Sequence, residues 1–240
     1  MSKKREIGTT FVGICLFLGL FSLGYFIQKS AVTLKEYDRV VTVKGLAEKE
    51  YPADRVLWPI QFTAANSDLA ELYAVVENNT AKIQSYLLAR GIEASEIAIS
   101  PPAVTDKLVQ DYNSPGKDQL RYSSTQTITV YSNKVEKVRL AIDGIVELGK
   151  QGIAFKGAND YENKTEYSFT KLNEIKPAMV EEATRNAREV AQKFAKDSSS
   201  TLGRIKTANQ GQFSIESRDK NNPNIKKVRV VSTIEYYLSD

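Results

Sequence analysis

Residues Arg55–Gly91 read RVLWPIQFTAANSDLAELYAVVENNTAKIQSYLLARG, and both periodicities that govern the rest of the chain are present in them. From Arg55 to Thr63, Val56, Trp58, Ile60 and Phe62 alternate with other residues, the two-residue period of a strand with one buried face. Trp58 therefore belongs to a core. Pro59 has no N–H to give to a ladder, so this strand is expected at a sheet edge or at a bulge. Next, Asn66 and Ser67 are good helix caps, and Leu69, Leu72, Val76, Ile83 and Leu87 recur near helical spacing until Gly91 stops them. A half-buried strand followed at once by an amphipathic helix predicts a helix laid on a sheet.

The same grammar extends outward on both sides. A strand is expected from Arg39 to Ala47, another from Ile97 to Ser100 before Pro101-Pro102, and a longer one from Tyr122 to Tyr131, reached through the turn Asn113-Ser114-Pro115-Gly116. Asn133 and Glu136 form a capping-box-like start to a second helix carrying Val135, Val138, Ile142 and Ile145, closed near Gly149. Short strands follow at Ile153 to Lys156 and Thr165 to Thr170. A third helix has Pro177 in its first turn and Ala183, Ala187, Val190 and Phe194 along one side. Two strands, Arg204 to Ile215 and Lys226 to Leu238, close the chain around Asn221-Asn222-Pro223. The fold class is α+β: mostly antiparallel sheet with amphipathic helices packed on it.

Sliding the chain by 107 positions suggests an internal strand-helix-strand-strand duplication. Phe62-Thr63 and Asn66 fall on Phe169-Thr170 and Asn173, and Leu72, Val76, Ile83 and Leu87 fall on Met179, Ala183, Val190 and Phe194. Leu87 and Phe194 are thereby expected to be equivalent core residues. Thr127-Ile128 and Val130-Tyr131 match Thr233-Ile234 and Tyr236-Tyr237 at an offset of 106.

Ahead of all this, Ile7 to Ile27 contains no charged side chain and, as a helix, reaches about 30 Å, the thickness of a bilayer core. Lys3, Lys4 and Arg5 precede it, which favours a cytoplasmic N-terminus and an exported C-terminal part. The run is longer than the apolar region of a cleaved signal and ends in Tyr25-Phe26-Ile27, so a retained single-pass transmembrane anchor is preferred, although Ser30-Ala31 leaves a place for a peptidase. The expected organisation is a cytoplasmic tip and anchor over residues 1–30 and an extracytoplasmic domain over residues 31–240, on the periplasmic side of an inner membrane.

Composition removes most chemistries. There is no histidine, which excludes histidine bases, Ser-His triads and nearly every zinc site, and the one cysteine, Cys15, lies inside the apolar run. No catalytic, cofactor-binding or metal-binding residue is assigned, no cofactor is implied, and the chain is not expected to be an enzyme. Carboxylate pairs are the remaining catalytic option: Glu48 with Glu50, Glu181 with Glu182, Asp106 with Asp111, all in segments where solvated acids are ordinary. A net charge of +4, from 33 cations against 29 anions, does not point to nucleic acid.

Val41-Thr42-Val43-Lys44-Gly45-Leu46-Ala47-Glu48 with Pro52-Ala53-Asp54 resembles the opening strands of the SIMPL-domain family, the YggE-like envelope proteins. Phe169-Thr170-Lys171-Leu172-Asn173, Ala183-Thr184-Arg185-Asn186-Ala187-Arg188 and Ala208-Asn209-Gln210-Gly211 resemble its last helix and the strand after it. Ala47, where the family commonly has a second glycine, and Ala53-Asp54, where it commonly has Pro-Asp, depart from the pattern. The resemblance implies an exported or periplasmic protein of largely unassigned activity, with relatives linked to oxidative stress and one forming a ring-like or channel-like assembly. It supplies no catalytic residues; Gly45 and Asp54 fit a turn glycine and a strand-start carboxylate. The expected function is a membrane-anchored structural, self-assembling or partner-binding envelope module, with a homo-oligomer or another envelope protein as partner. The alternatives are a carboxylate-dependent enzyme and a small-molecule or peptide binder.

Overall fold

The computed structural model describes residues 16–30, 39–110, 120–157 and 164–239. Lys3-Lys4-Arg5, Cys15, the beginning of the Ile7 to Ile27 run, Asp111 and the Asn113 to Gly116 turn lie outside them. Helix α1 covers residues 16–30, and its large apolar side chains, Leu16, Phe17, Leu20, Phe21, Leu23 and Phe26 among them, are exposed. Among the described residues no helix is long and apolar enough to cross a membrane.

The rest is α+β, with ten strands and five helices among the described residues: β1 (Val40–Pro52), β2 (Arg55–Asn66), α2 (Leu69–Ala89), β3 (Ile97–Ile99), β4 (Ala103–Asp106), α3 (Lys107–Gln110), β5 (Tyr122–Ser132), α4 (Val135–Gly144), α5 (Val146–Lys150), β6 (Ala154–Phe155), β7 (Glu166–Ser168), α6 (Leu172–Asp197), β8 (Thr201–Gln210), β9 (Ser214–Ser217) and β10 (Ile225–Ser239). The chain divides into two compact units. One comprises Lys49–Ile175 and Ile215–Val228, the other the segments up to Glu48, Lys176–Ser214 and Arg229 onward.

In the first unit, called aliphatic here, β2 and β5 pair antiparallel along their length, from Val56 opposite Ser132 to Asn66 opposite Tyr122. The sheet order is β3-β5-β2-β6, with β4 also on β5 and β7 also on β2. Trp58, Ile60, Phe62, Ile128 and Val130 bury one face of this pair in a cluster that also holds Leu72, Val76, Ile83 and Leu87 of α2. Strand β2 is neither terminal nor bulged at Pro59, which corrects the expectation of an edge or a bulge; the proline is accommodated by a local gap in pairing. On the side away from β5, β7 pairs with Arg55 to Leu57 and β6 with Phe62 and Thr63, and Pro59 falls in the interval between them. Helix α2 starts one or two residues later than its sequence suggests: Asp68 is the cap, its carboxylate accepting the Glu71 N–H at 2.9 Å, while Asn66 Oδ1 accepts the Asp68 N–H. Gly91, at φ +81°, ends it, and the Ile92 N–H returns to the Leu87 carbonyl.

The second unit, called alanine-lined, holds the sheet order β1-β10-β8 over the parts of those strands that belong to it. Its helix, α6, buries Met179, Ala183, Ala187, Ala191 and Ala195. This corrects two expectations. Phe194 is 56% exposed and Val190 38%, so Phe194 is not the counterpart of the fully buried Leu87. Buried positions step by four throughout α6 but by four, three, four and four in α2, so an offset of 107 holds only as far as Ala183 and the buried residues then fall one position later. Phe169, paired with Phe62 by the same offset, follows β7 and stacks on Tyr51, whereas Phe62 is buried inside β2. Pro177 lies in the second turn of α6, not the first.

Candidate functional site

The residues that carry the family resemblance prove to be structural couplings within each unit. Gly45 is not a turn glycine: it sits in the middle of β1, and a Cβ built there would stand 1.9 Å from the Ala183 carbonyl oxygen and 2.5 Å from the Ala187 nitrogen. The strand backbone thus lies directly on one hydrogen-bonded step of α6, which explains both the glycine and the alanines. Asn186, inside the same helix motif, donates from Nδ2 to the Leu46 carbonyl at 2.8 Å. Asp54, immediately before β2, accepts the Thr170 N–H at 2.9 Å and its hydroxyl at 3.0 Å. Gly211 donates its N–H to the Val231 carbonyl at 2.8 Å, with no room for a side chain beside it.

The carboxylate pairs are divided among cations. Glu48 faces Arg229 at 3.9 Å and Glu50 faces Arg218 at 3.5 Å. Asp106 receives Arg121 through Nε and Nη2, and that bidentate hydrogen bonding holds its carboxyl below the usual carboxylate range. Glu181 and Glu182 are consecutive on α6, so they point in different directions from its surface. Among the described residues no group of three or more acids and cysteines is placed to hold a metal ion.

One perturbed cation lies elsewhere. Lys226 is buried at the start of β10 and its ammonium donates to the Ser217 hydroxyl at 2.9 Å; burial, followed by the charge of Lys164, lowers its pKa against the opposing pull of Glu166. The Ser217 oxygen is therefore an acceptor from lysine, and the pair ties β9 to β10 across the hairpin.

Strand β8 is poorly covered. Nine of its ten residues are exposed and the tenth, Leu202, is half-buried, because the strand is terminal in the order β1-β10-β8. Ile205 is opposite Tyr236, which packs in the cluster of Ala187 and Ala191, so Ile205 shares the helix-covered face of the sheet while remaining 41% exposed. Val190 and Phe194 are exposed on the helix packed against that face. Sequence periodicity marked Val190 and Phe194 as apolar but assigned them to the core; an edge cannot be read from one strand's own residues, since it depends on what pairs beyond it.

Helices laid on antiparallel sheets, with the helix and strand motifs used for close coupling within each unit, define an α+β fold. Residues 41–233 match the SIMPL family model, described as a protein of unknown function (DUF541), and the chain belongs to the SIMPL family. No curated protein matches it.

Proposed function

We propose that this chain is a membrane-anchored, extracytoplasmic, non-catalytic module of the cell envelope that self-associates through the β8 edge. The observation that carries the reading is that edge: ten residues of terminal strand with one side of the backbone unpaired among the described residues, beside the exposed side chains of Val190, Phe194 and Ile205. An unpaired strand offers N–H and C=O groups that a second strand satisfies, and tethering copies in one membrane raises their effective concentration. The charge-free Ile7 to Ile27 run and the cations before it support the anchor and the outward placement of the remainder. A partner strand from another envelope protein would use the same edge.

The test is light scattering on the detergent-solubilised full chain, with crosslinking of the same chain in membranes. The expected result is a mass above one copy that drops to one copy in the Phe194→Lys, Ile205→Lys double variant. A wild-type monomer in both measurements at micromolar concentration removes self-association and leaves a partner-binding monomer. A reporter fused after Asp240 tests topology separately: activity of one that works only in the cytoplasm rejects the extracytoplasmic placement.

A further inference from the structure

We infer, resting on the self-association proposed above, that the strand added at the β8 edge is β8 of a second copy, antiparallel about a two-fold axis at Asn209 and paired over residues 207–211 alone. Strand β8 is not a uniform edge. From Thr207 to Gln210 it matches β10 residue for residue, with Thr207 opposite Glu235 and Gln210 opposite Ser232. Toward Thr201 the match slips twice: Ile205 stands opposite Tyr236 and Leu202 opposite Leu238, so β8 carries an extra residue on each side of Ile205. Such bulges bend a strand and interrupt the row of groups it offers. The same half holds Arg204 and Lys206, and Lys206 is fixed on its own sheet, its ammonium 3.7 Å from Glu235 and over the Tyr237 ring. Bulges and cations both hinder the addition of a strand to an edge. Thr207-Ala208-Asn209-Gln210-Gly211 has neither a charge nor a proline.

Backbone directions then select the register. The Gly211 N–H donates to the Val231 carbonyl at 2.8 Å, so Gly211 turns toward β10. Polar groups alternate sides along a strand; Asn209 and Thr207 therefore turn toward β10 as well, and Ala208 and Gln210 turn their N–H and C=O groups to the open side. A two-fold axis normal to the sheet keeps the faces of both copies on the same side, so only residues of one face can stand opposite each other. Centring on Asn209 sets Ala208 opposite Gln210 of the second copy, and Gln210 opposite its Ala208. Each of those pairs exchanges both N–H···O bonds, and no bulged residue takes part. Centring on Ala208 would require Lys206, at a bulge, to pair with Gln210. Centring on Ile205 would set Arg204 opposite Lys206, like charge against like charge.

The same axis places the α6 helices of both copies on one face of the joined sheet, the face that carries the exposed Ile205, Val190 and Phe194. Because each copy contributes the same stretch, the pairing consumes the open segment of both. The contact is closed at two copies and does not propagate into a fibre.

The experiment uses the full chain in detergent with Cys15→Ser, so that an introduced cysteine is the sole thiol. Asn209→Cys sets two thiols across a non-hydrogen-bonded pair, with Cα atoms about 4.5 Å apart and within reach of a disulfide. Under diamide it should form a reducible dimer about tenfold faster than Thr207→Cys or Ile205→Cys, whose counterparts lie farther along the strand. Chains carrying Ala208→Cys mixed with chains carrying Gln210→Cys should crosslink to each other faster than either does to itself, a readout that leaves Asn209 intact. Light scattering on the unoxidised wild type runs alongside. A mass above one copy with fastest crosslinking at Ile205 or Thr207, or with none at any of these positions, overturns the Asn209 register and leaves self-association standing. A mass of one copy throughout, without crosslinking, overturns both.

Discussion

Helix α2 covers the two inner strands β5 and β2 of its sheet and α6 covers β10 and β1 of its own, but they do so with opposite kinds of interior. Under α2 lie Leu72, Val76, Ile83 and Leu87 against Trp58, Ile60, Phe62, Ile128 and Val130, so large side chains separate helix from strands. Under α6 lie Ala183, Ala187, Ala191 and Ala195, with β1 presenting Val43, Gly45 and Ala47, so backbone meets backbone. A thick interior is sensitive to what is removed from it; a thin one is sensitive to what is added. The spacing follows from the same difference. Each four-residue step turns a helix about 40° past a full turn. Unbroken steps of four therefore let the alanine row run obliquely along α6 as an i, i+4 ridge, while the three-residue step at Val76 to Asn79 turns the row on α2 back.

The largest effect is expected where addition is attempted on the thin side. Gly45→Val would drive a side chain into the Ala183 to Ala187 hydrogen bond, and neither partner is a flexible side-chain end that could move aside. A loss of about 5 kcal/mol or more, beyond ordinary overpacking, is expected in urea denaturation. Tolerance of valine at this position would mean that helix and strand are not in backbone contact and would break the comparison at its root. The matching deletion on the thick side is Leu87→Ala, fully buried in the aliphatic cluster, with an expected loss of about 2 to 5 kcal/mol. A loss well under that range would show that the cluster collapses around the gap.

A smaller effect of opposite sign tests an aromatic buried in the thin unit. Tyr236 is 2% exposed and its hydroxyl has no hydrogen-bond partner among the described residues. Tyr236→Phe removes that orphan without changing shape, and a gain of about 1 to 3 kcal/mol is expected, read as a higher urea midpoint. A destabilised phenylalanine variant would reveal a partner for the hydroxyl and a more polar interior than the alanine row suggests.

What the sequence disclosed tracks this contrast closely. The aliphatic unit was legible because large alternating residues announce a buried face: Val56, Trp58, Ile60 and Phe62 in β2, and Leu72, Val76, Ile83 and Leu87 in α2, all lie where their periods put them. The alanine-lined unit was half legible. Ala183 and Ala187 were read as core, but alanine is equally at home on a wet helix face, so the larger Val190 and Phe194 drew the core assignment toward themselves. Gly45 was read as a turn because nothing local distinguishes a glycine that frees the backbone from one that makes room for a neighbour 138 residues away in sequence, Ala183. The start of α4 was illegible for a similar reason: Ser132 and Asn133 are both capable caps, and it is Ser132 Oγ that accepts the Lys134 N–H, held at the end of β5 by Glu96, whose carboxylate receives the Ser132 hydroxyl at 2.7 Å.

The smallest expected effect is also the one that separates sequence from structure most cleanly. Leu87 and Phe194 occupy corresponding places under the 107-residue offset, and both are large and apolar, so a reading from periodicity alone assigns them equal weight. Their surroundings differ: Leu87 is sealed beneath α2, whereas the neighbouring Ala195 takes the buried position on α6 and leaves the Phe194 ring 56% exposed. Phe194→Ala should therefore change stability by no more than about 0.5 kcal/mol, against the several expected for Leu87→Ala in the same urea experiment. The comparison must be made on the dispersed chain at low concentration, because an association through the β8 edge would bury the ring and add its own stabilisation, growing as copies accumulate. A small cost when dilute that rises with protein concentration would place Phe194 at an interface. A cost of several kcal/mol at every concentration would return it to the core and restore the equivalence that the alanine row now denies.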